Sequence, residues 1–379
     1  MKGKRFGISN AVLLARARGS TTLLAMNEKT LADLAEKAEA GQDLSDTEIQ
    51  QVANLLTSGE PDLEEKERLL LTLAEKGESP SEIAAFADCF RKLARNPEVD
   101  RYAEAAIDVC GTGGDKSGSF NVSTTVAFIL ASAGVPVFKH GNRSITSKCG
   151  SADLLEAVGI PLEANPETLG SSLKELSFAF FFAPAYHPAF KEIIPVRKSL
   201  AAKGQRTVFN ILGPLINPGR PAHQLLGVFS SSYVPALASC LNSLGLRRGL
   251  VVHSALSEGG NMDELSGAGI NSVAGVGELA EMEGKWKPED FGLRHHAFSE
   301  LSGGDVSDNL SLLSDLCIGK APRGLMDTIC WNAGVAFWIV DKSPSVEEGI
   351  FIAKDLLLGG EVASWLNNAK SFYADHHVA

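Results

Sequence analysis

From Asn27 to about Arg95 the apolar positions recur at helical spacing, and polar linkers such as Gly41-Gln42-Asp43 and Gly77-Glu78-Ser79-Pro80 break the run into segments. Apolar residues returning every three or four positions mark helices with one buried face. In Ser45 to Gly59, Ile49, Val52, Leu55 and Leu56 share such a face, Ser45 or Asp46 can cap the first turn, and Glu48 reinforces it. Ser81-Glu82-Ile83 opens a further helix through Phe86 and Phe90. The pattern predicts a small all-helical domain over residues 27–98.

The period changes after Pro97. Ala105 to Cys110 is a short, mostly apolar run that ends in glycines, the mark of a strand buried on both faces. Val122 to Gly134 then reads as a helix and Val135 to Lys139 as a second strand, so strand, glycine loop, helix and strand form a βαβ unit. Further strands are expected at Ala179 to Ala183, Leu225 to Phe229 and Leu250 to His253. The stretch His187 to Gly204 is helical again, opening at Pro188 and closing at a glycine, with Pro195 placed to kink or divide it. Residues 187–210 are expected to return to the helical domain. Residues 99–186 and 211–379 are expected to form a larger α/β domain with a central, mostly parallel sheet flanked by helices.

A chain of 379 residues that is 44% hydrophobic has enough apolar mass for two domains. Its net charge of -11 excludes a broad basic surface, which argues against nucleic acid or an anionic membrane as partner. No uninterrupted apolar run reaches the roughly 20 residues that span a bilayer. The cysteines at 89, 110, 149, 240, 317 and 330 show no CxxC spacing, which fits reduced thiols in the cytoplasm and neither disulfides nor zinc. Residues 1–26 carry five basic side chains (Lys2, Lys4, Arg5, Arg16 and Arg18) and no acid, so they read as an N-terminal extension, with a plastid transit peptide as the alternative.

Against that acidic background, the segment from Lys116 to Ala152 holds no Asp or Glu, while Lys116, Lys139, Arg143 and Lys148 are present. It directly follows Gly111-Thr112-Gly113-Gly114-Asp115, whose unobstructed N–H groups can cradle phosphate oxygens, and Ser119, Asn121, Ser123 and Thr124 add donors. The loop is neither a P-loop nor a GxGxxG fingerprint. Asp115 suits a sugar hydroxyl or a hydrated magnesium better than a phosphate. Lys139-His140-Gly141-Asn142-Arg143 follows the second strand and should emerge at the same carboxyl edge of the sheet, where ligands of open α/β sheets bind. Asp263-Glu264 is the candidate for a hard cation such as Mg2+. Arg197 and Arg206 offer planar guanidinium forks to a carboxylate.

These motifs, together with Gly150-Ser151-Ala152-Asp153, His187-Pro188 and Arg206-Thr207 followed by Phe209-Asn210-Ile211-Leu212-Gly213-Pro214-Leu215, resemble anthranilate phosphoribosyltransferase, of the nucleoside phosphorylase and phosphoribosyltransferase fold group. The resemblance implies transfer of the phosphoribosyl group of phosphoribosyl pyrophosphate to the amine of anthranilate, the second step of tryptophan biosynthesis, with release of pyrophosphate. It implies a homodimer paired through the helical domain. It also implies that Gly111, Gly114, Asp115, Ser119, Asn121, Val122, Ser123, Thr124, Lys139, Asn142, Arg143, Ser147 and Ser151 bind the donor. Ser123, Asp263 and Glu264 would hold Mg2+, and Gly111, Asn142, Arg197, His140, His187 and Pro214 would meet anthranilate. No residue is implied as a general base. Residues 198–205 and 254–261 are longer than the family pattern. Alternatives are another aromatic amine as acceptor, a pyrimidine nucleoside phosphorylase, whose motifs lack the Lys139 to Arg143 run, and a non-catalytic ligand-binding relative.

Overall fold

The computed structural model describes residues 29–143 and 148–376; the extension of residues 1–26 and Ser147 lie outside the described residues. Four helices come first: α1 (Leu31–Glu39), α2 (Asp46–Thr57), α3 (Leu63–Lys76) and α4 (Pro80–Leu93). Each begins with a reciprocal capping box, pairing Thr30 with Asp33, Ser45 with Glu48, Asp62 with Glu65, and Ser79 with Glu82. The last one corrects the expected start at Ser81. Pro80 has the fixed φ of a first helical position and no N–H to waste, so the cap falls on Ser79. Glu82 is fully buried there, held by the Lys76 ammonium at 2.7 Å and the Leu44 N–H at 2.9 Å.

The α/β part follows in chain order: α5 (Asp100–Ala103), β1 (Ile107–Gly111), α6 (Val122–Ser132), β2 (Val137–Gly141), α7 (Ser151–Ala157), α8 (Pro166–Leu176), β3 (Phe178–Phe182) and α9 (Ala183–Tyr186). Next come α10 (Ile194–Ala202), β4 (His223–Gly227), α11 (Tyr233–Ser243), β5 (Arg248–Leu256), β6 (Asn261–Met262), β7 (Gly269–Gly277) and β8 (Glu283–Trp286). The chain closes with α12 (Val306–Cys317), α13 (Arg323–Ile339), α14 (Val346–Gly359) and α15 (Glu361–Asp375). Among the described residues the strands form one sheet in the order β3-β2-β1-β4-β5-β7-β8, with β6 paired to β5. The strands from β3 to β5 run parallel, and β6, β7 and β8 add an antiparallel end that the hydrophobic pattern did not announce. These strands carry polar and glycine positions such as Asn271, Ser272 and Gly275, so their apolar period is weak.

Side chains alternate across the sheet. Ile107, Val109, Leu225, Leu250 and Val252 join a core with α6 and α13–α15, while Cys110, Leu226 and Val251 join a core that runs through α11 into the helical bundle. With both faces covered, the parallel strands are apolar on both sides. Pro195 falls in the first turn of α10, so the expected helix over 187–204 is divided: a 3-10 turn spans Pro188–Glu192 and α10 begins afresh. Phe90 of α4 meets Phe190 and Phe209 at ring distances of 4.8 and 5.6 Å, and Lys203 pairs with Glu67 of α3 at 2.5 Å. The segment after α9 thereby packs on the helical bundle.

Candidate active site at the carboxyl edge of the sheet

Strands β1 and β4 run in register, so Gly111 and Gly227 pair at their carboxyl ends. Neither glycine has room for a Cβ: at Gly111 it would collide with the Asp263 carboxylate, at Gly227 with the Asp263 backbone carbonyl. These two glycines therefore admit a protein carboxylate to the strand ends. Beyond them Gly113 and Gly114 take φ values of 67° and 77°, the left-handed region in which a side chain is strained, and the loop turns back. Its N–H at Gly113 donates to Asp263 Oδ2 at 2.7 Å. Asp115 accepts from the Ser117 N–H and hydroxyl at 3.2 and 2.7 Å, which braces the loop from inside, and the Ser117 Oγ lies 3.1 Å from the Ser119 hydroxyl.

Asp263 and Glu264 are both buried. Burial pushes the Asp263 carboxyl well above its ordinary range, and Asp115 and Glu264 push further in the same direction. Burial likewise raises Glu264 to about 7, against the pull of Lys139 and the Ser123 N–H, which donates to it at 3.2 Å. Three carboxylates crowded together with one lysine form an anionic pocket that a cation would relieve. Among the described residues no group of three or more His, Cys, Asp or Glu gathers in metal-ligating geometry. A hard cation at this pair would complete its shell from hydroxyl, water and substrate oxygens, the habit of Mg2+, so the residues present fit that ion.

Lys139 lies buried in β2, its ammonium donating to the Val109 carbonyl at 2.5 Å and the Ser123 hydroxyl at 3.0 Å. That places one positive charge between β1 and the first turn of α6. Val122 and Thr124 are buried in the same turn, so they can offer backbone only or inward groups. Asn121 donates to the Cys149 carbonyl at 3.2 Å, and Ser151 donates to the Asn142 carbonyl at 3.2 Å, which brings the α7 start to the glycine loop. Arg143 points elsewhere: its guanidinium pairs with Asp153 at 2.9 Å and Glu156 at 2.7 Å. Its charge is compensated by α7, whereas that of Lys139 faces Glu264 and Asp108.

On the far side of β2, His140 and His187 pack ring to ring at 5.2 Å, both buried. His140 Nδ1 faces the Gly213 carbonyl at 3.0 Å, next to Pro214, and the Nε2 atoms of both rings are without a partner among the described residues. Burial depresses His140 to about 3, with His187 adding to the effect, and depresses His187 to about 4. Both rings are neutral at neutral pH. Arg197 lies half-buried on α10, 5.9 Å over the Phe209 ring, and has no carboxylate partner among the described residues. A desolvated guanidinium and two unpartnered ring nitrogens therefore border one side of the cleft.

A family model described as glycosyl transferase family, a/b domain, matches residues 103–363, and its helical bundle companion matches residues 32–94. The anthranilate phosphoribosyltransferase of Rubrobacter xylanophilus is 42% identical over 87% of this chain and 94% of its own length. The crystal structure of the Thermus thermophilus anthranilate phosphoribosyltransferase superposes with a TM-score of 0.81 at 41% identity, covering 90% of this chain and 99% of that one. The chain belongs to the anthranilate phosphoribosyltransferase family. It is an enzyme, a phosphoribosyltransferase of the glycosyl transferase class, with the family's helical bundle and mixed sheet. The Saccharomyces cerevisiae anthranilate phosphoribosyltransferase, solved in complex with phosphoribosyl pyrophosphate and Mg, shares this fold with a TM-score of 0.78 at 24% identity.

Within this transferase fold several contacts lie beyond sequence reasoning. Arg206, read from the motif as a carboxylate candidate, donates to the Gly114 carbonyl at 2.8 Å and lies 3.9 Å over the Phe229 ring, so it clamps the glycine loop. Asn309 of α12 donates to Asn121 at 3.0 Å, and the Gly303 N–H donates to the Gly118 carbonyl at 2.9 Å, so the C-terminal helices pin the loop from outside. Asn217 donates to Asp108 at 2.9 Å and to the Phe138 carbonyl at 2.8 Å, tying β1 to β2 beneath the site. Each pair is remote in the chain. Only the Asn217-Pro218-Gly219 turn could have hinted at its partner.

Proposed function

We propose that this chain transfers the phosphoribosyl group of phosphoribosyl pyrophosphate to the amine of anthranilate and releases pyrophosphate. The observation that carries the reading is the cluster of buried Asp263, Glu264 and Lys139 with half-buried Asp115 around the glycine loop. It is a site built for a diphosphate together with a cation. The donor lies along Gly111, Gly114, Asp115, Ser119, Asn121, Val122, Ser123, Thr124, Lys139, Asn142 and Ser151, with Ser147 completing the set and Arg143 contributing least, because α7 already holds its charge. Mg2+, when bound by Asp263, Glu264 and Ser123, neutralises charge on the leaving pyrophosphate.

The protein's own groups do the positioning. Lys139 and the loop N–H groups hold the diphosphate as its bond to ribose stretches, and Asp115 faces the sugar. Anthranilate enters beside Gly111, Asn142, His140, His187 and Pro214, with its carboxylate toward Arg197. Two neutral histidines add no positive charge beside a ribose ring that is itself becoming positive. The aromatic amine carries its lone pair unprotonated at neutral pH, so its attack needs no base beforehand.

Assay of the purified chain with phosphoribosyl pyrophosphate, Mg2+ and anthranilate, following loss of anthranilate and release of pyrophosphate, tests this. Stoichiometric consumption is expected, and the absence of turnover with anthranilate would sink the reading. The same reading makes the chain a cytoplasmic homodimer paired through α1–α4 and α10, where Leu63 and Ile194 stay 44% and 45% exposed. Sedimentation velocity at twice the chain mass is the expected result. Among the described residues no helix is long and apolar enough to cross a membrane.

A further inference from the structure

A groove of about 930 Å3 opens at the amino edge of the sheet, the end opposite the glycine loop. Its walls are α2 and α4 on one side and, on the other, the segments leading into β1, β4 and β5. Arg91 and Arg220 line it, and neither has a carboxylate partner among the described residues. Arg91 spends its Nε–H on the Leu215 carbonyl at 2.6 Å, and burial pulls its guanidinium down to about 10, which leaves it charged at neutral pH. Arg220 stands at φ 50°, a conformation arginine seldom adopts, and reaches toward the Arg91 carbonyl at 3.5 Å. Of the acidic side chains of the lining, Asp88 pairs with Lys92 at 2.5 Å and Glu104 pairs with Arg247 at 2.9 Å, while Asp46 lies in the first turn of α2.

Two guanidinium groups near one another, one of them desolvated and neither in an ion pair, repel each other, and an anion between them removes the repulsion while satisfying their free N–H groups. The same groove presents Ala84, Ala85, Leu244 and Leu246, apolar surface for an organic body. Arg91 also reaches the chemistry. In the turn Gly213–Ile216 the Gly213 carbonyl meets His140, the Pro214 carbonyl accepts from Gln224, the Leu215 carbonyl accepts from Arg91, and the Ile216 carbonyl meets His187. One short turn thus joins the groove to the two histidines of the acceptor side.

We propose that this groove is a regulatory site for a small organic anion, a carboxylate or phosphate ester, gripped by Arg91 and Arg220 and coupled to acceptor binding through the turn at 213–216. The binding part stands whether or not the acceptor is anthranilate; the coupling part rests on the transferase reading. Isothermal titration of the full chain with inorganic phosphate and, separately, with succinate, at ionic strength fixed with chloride, reads the site directly. Wild type and Lys139→Ala, in which the donor loop is disabled, are expected to bind at least one of the two probes with a single saturable heat, and the tighter probe names the chemical class. Arg220→Gly suits φ 50° and so keeps the fold, and it is expected to bind at least ~tenfold more weakly. In wild type, but not in Arg220→Gly, the bound probe should shift the KM for the acceptor. No saturable heat in wild type, heat lost in Lys139→Ala, or full binding by Arg220→Gly overturns the proposal. Failure of the transferase reading would show instead as wild-type protein without turnover, with these heats unchanged.

Discussion

The two halves of the cleft are built by opposite means. On the donor half the protein holds its charged groups in place with contacts of its own: Gly113 N–H to Asp263, Ser123 N–H to Glu264, and Lys139 to Val109 and Ser123. On the acceptor half the polar groups are left open, with Arg197 lacking an acid and His140 and His187 each keeping a bare Nε2 among the described residues. The donor half is therefore a preorganised electrostatic cradle, whereas the acceptor half waits for its ligand to complete it. Sites of the first kind should lose turnover when altered. Sites of the second kind should lose affinity for one substrate.

The hardest test of that division is the double change Asp263→Ala with Glu264→Ala. Turnover should fall at least ~100-fold, with a matching loss of Mg2+ dependence in the steady-state assay; near-normal kinetics would remove the pair from the donor half. Next in size, Arg197→Ala should cost about 2 kcal/mol of acceptor binding, roughly 30-fold in the KM for anthranilate, while the KM for phosphoribosyl pyrophosphate stays within about twofold. Equal losses for both substrates would erase the distinction between the halves.

The histidines sharpen the comparison through pH. Their folded pKa values, about 3 for His140 and about 4 for His187, lie below the ordinary 6.5, because burial disfavours the charged ring. Below pH 6.5 the unfolded chain binds more protons than the folded one, so their contribution is present above 6.5 and is lost as pH falls toward 4, at about 1.4 kcal/mol per unit for each fully shifted group. Asp263 and Glu264, whose folded pKa values are raised, act in the opposite sense over the same range, so the ring is read by difference: the urea midpoint of His187→Phe relative to wild type should rise between about pH 7 and about pH 5, and an unchanged difference would mean that the ring is not held neutral. The smallest effect belongs to Arg143→Ala, whose pairs with Asp153 and Glu156 are exposed and screened by solvent, so donor affinity and stability should both stay close to wild type. A large loss of donor affinity there would return Arg143 to the cradle.

Much of this arrangement is legible along the chain. The strand, glycine loop and helix around Gly111, the helical periodicity of residues 31–93 and the dividing effect of Pro195 all rest on contacts within a few residues, where propensity and capping act. The antiparallel end of the sheet is not legible, because β7 is broken by polar and glycine positions that a partner strand, not its own period, stabilises. Ser79 displaces Ser81 as a cap by a rule of local stereochemistry, one that Pro80 already writes into the sequence.

What the sequence determined by itself was a βαβ unit with an acid-free, phosphate-seeking loop and an acidic pair far downstream, because glycine, charge and hydrophobic period are local properties. Only the tertiary structure decided what those features do to one another. Asp263 reaches the loop across 150 positions because Gly111 and Gly227 leave it space, Arg206 crosses 92 positions to hold Gly114, and Arg143, which reads as a donor contact, is drawn to α7. Such pairings depend on which strands lie side by side and on which charges are left without water, and neither is written at any single position of the chain.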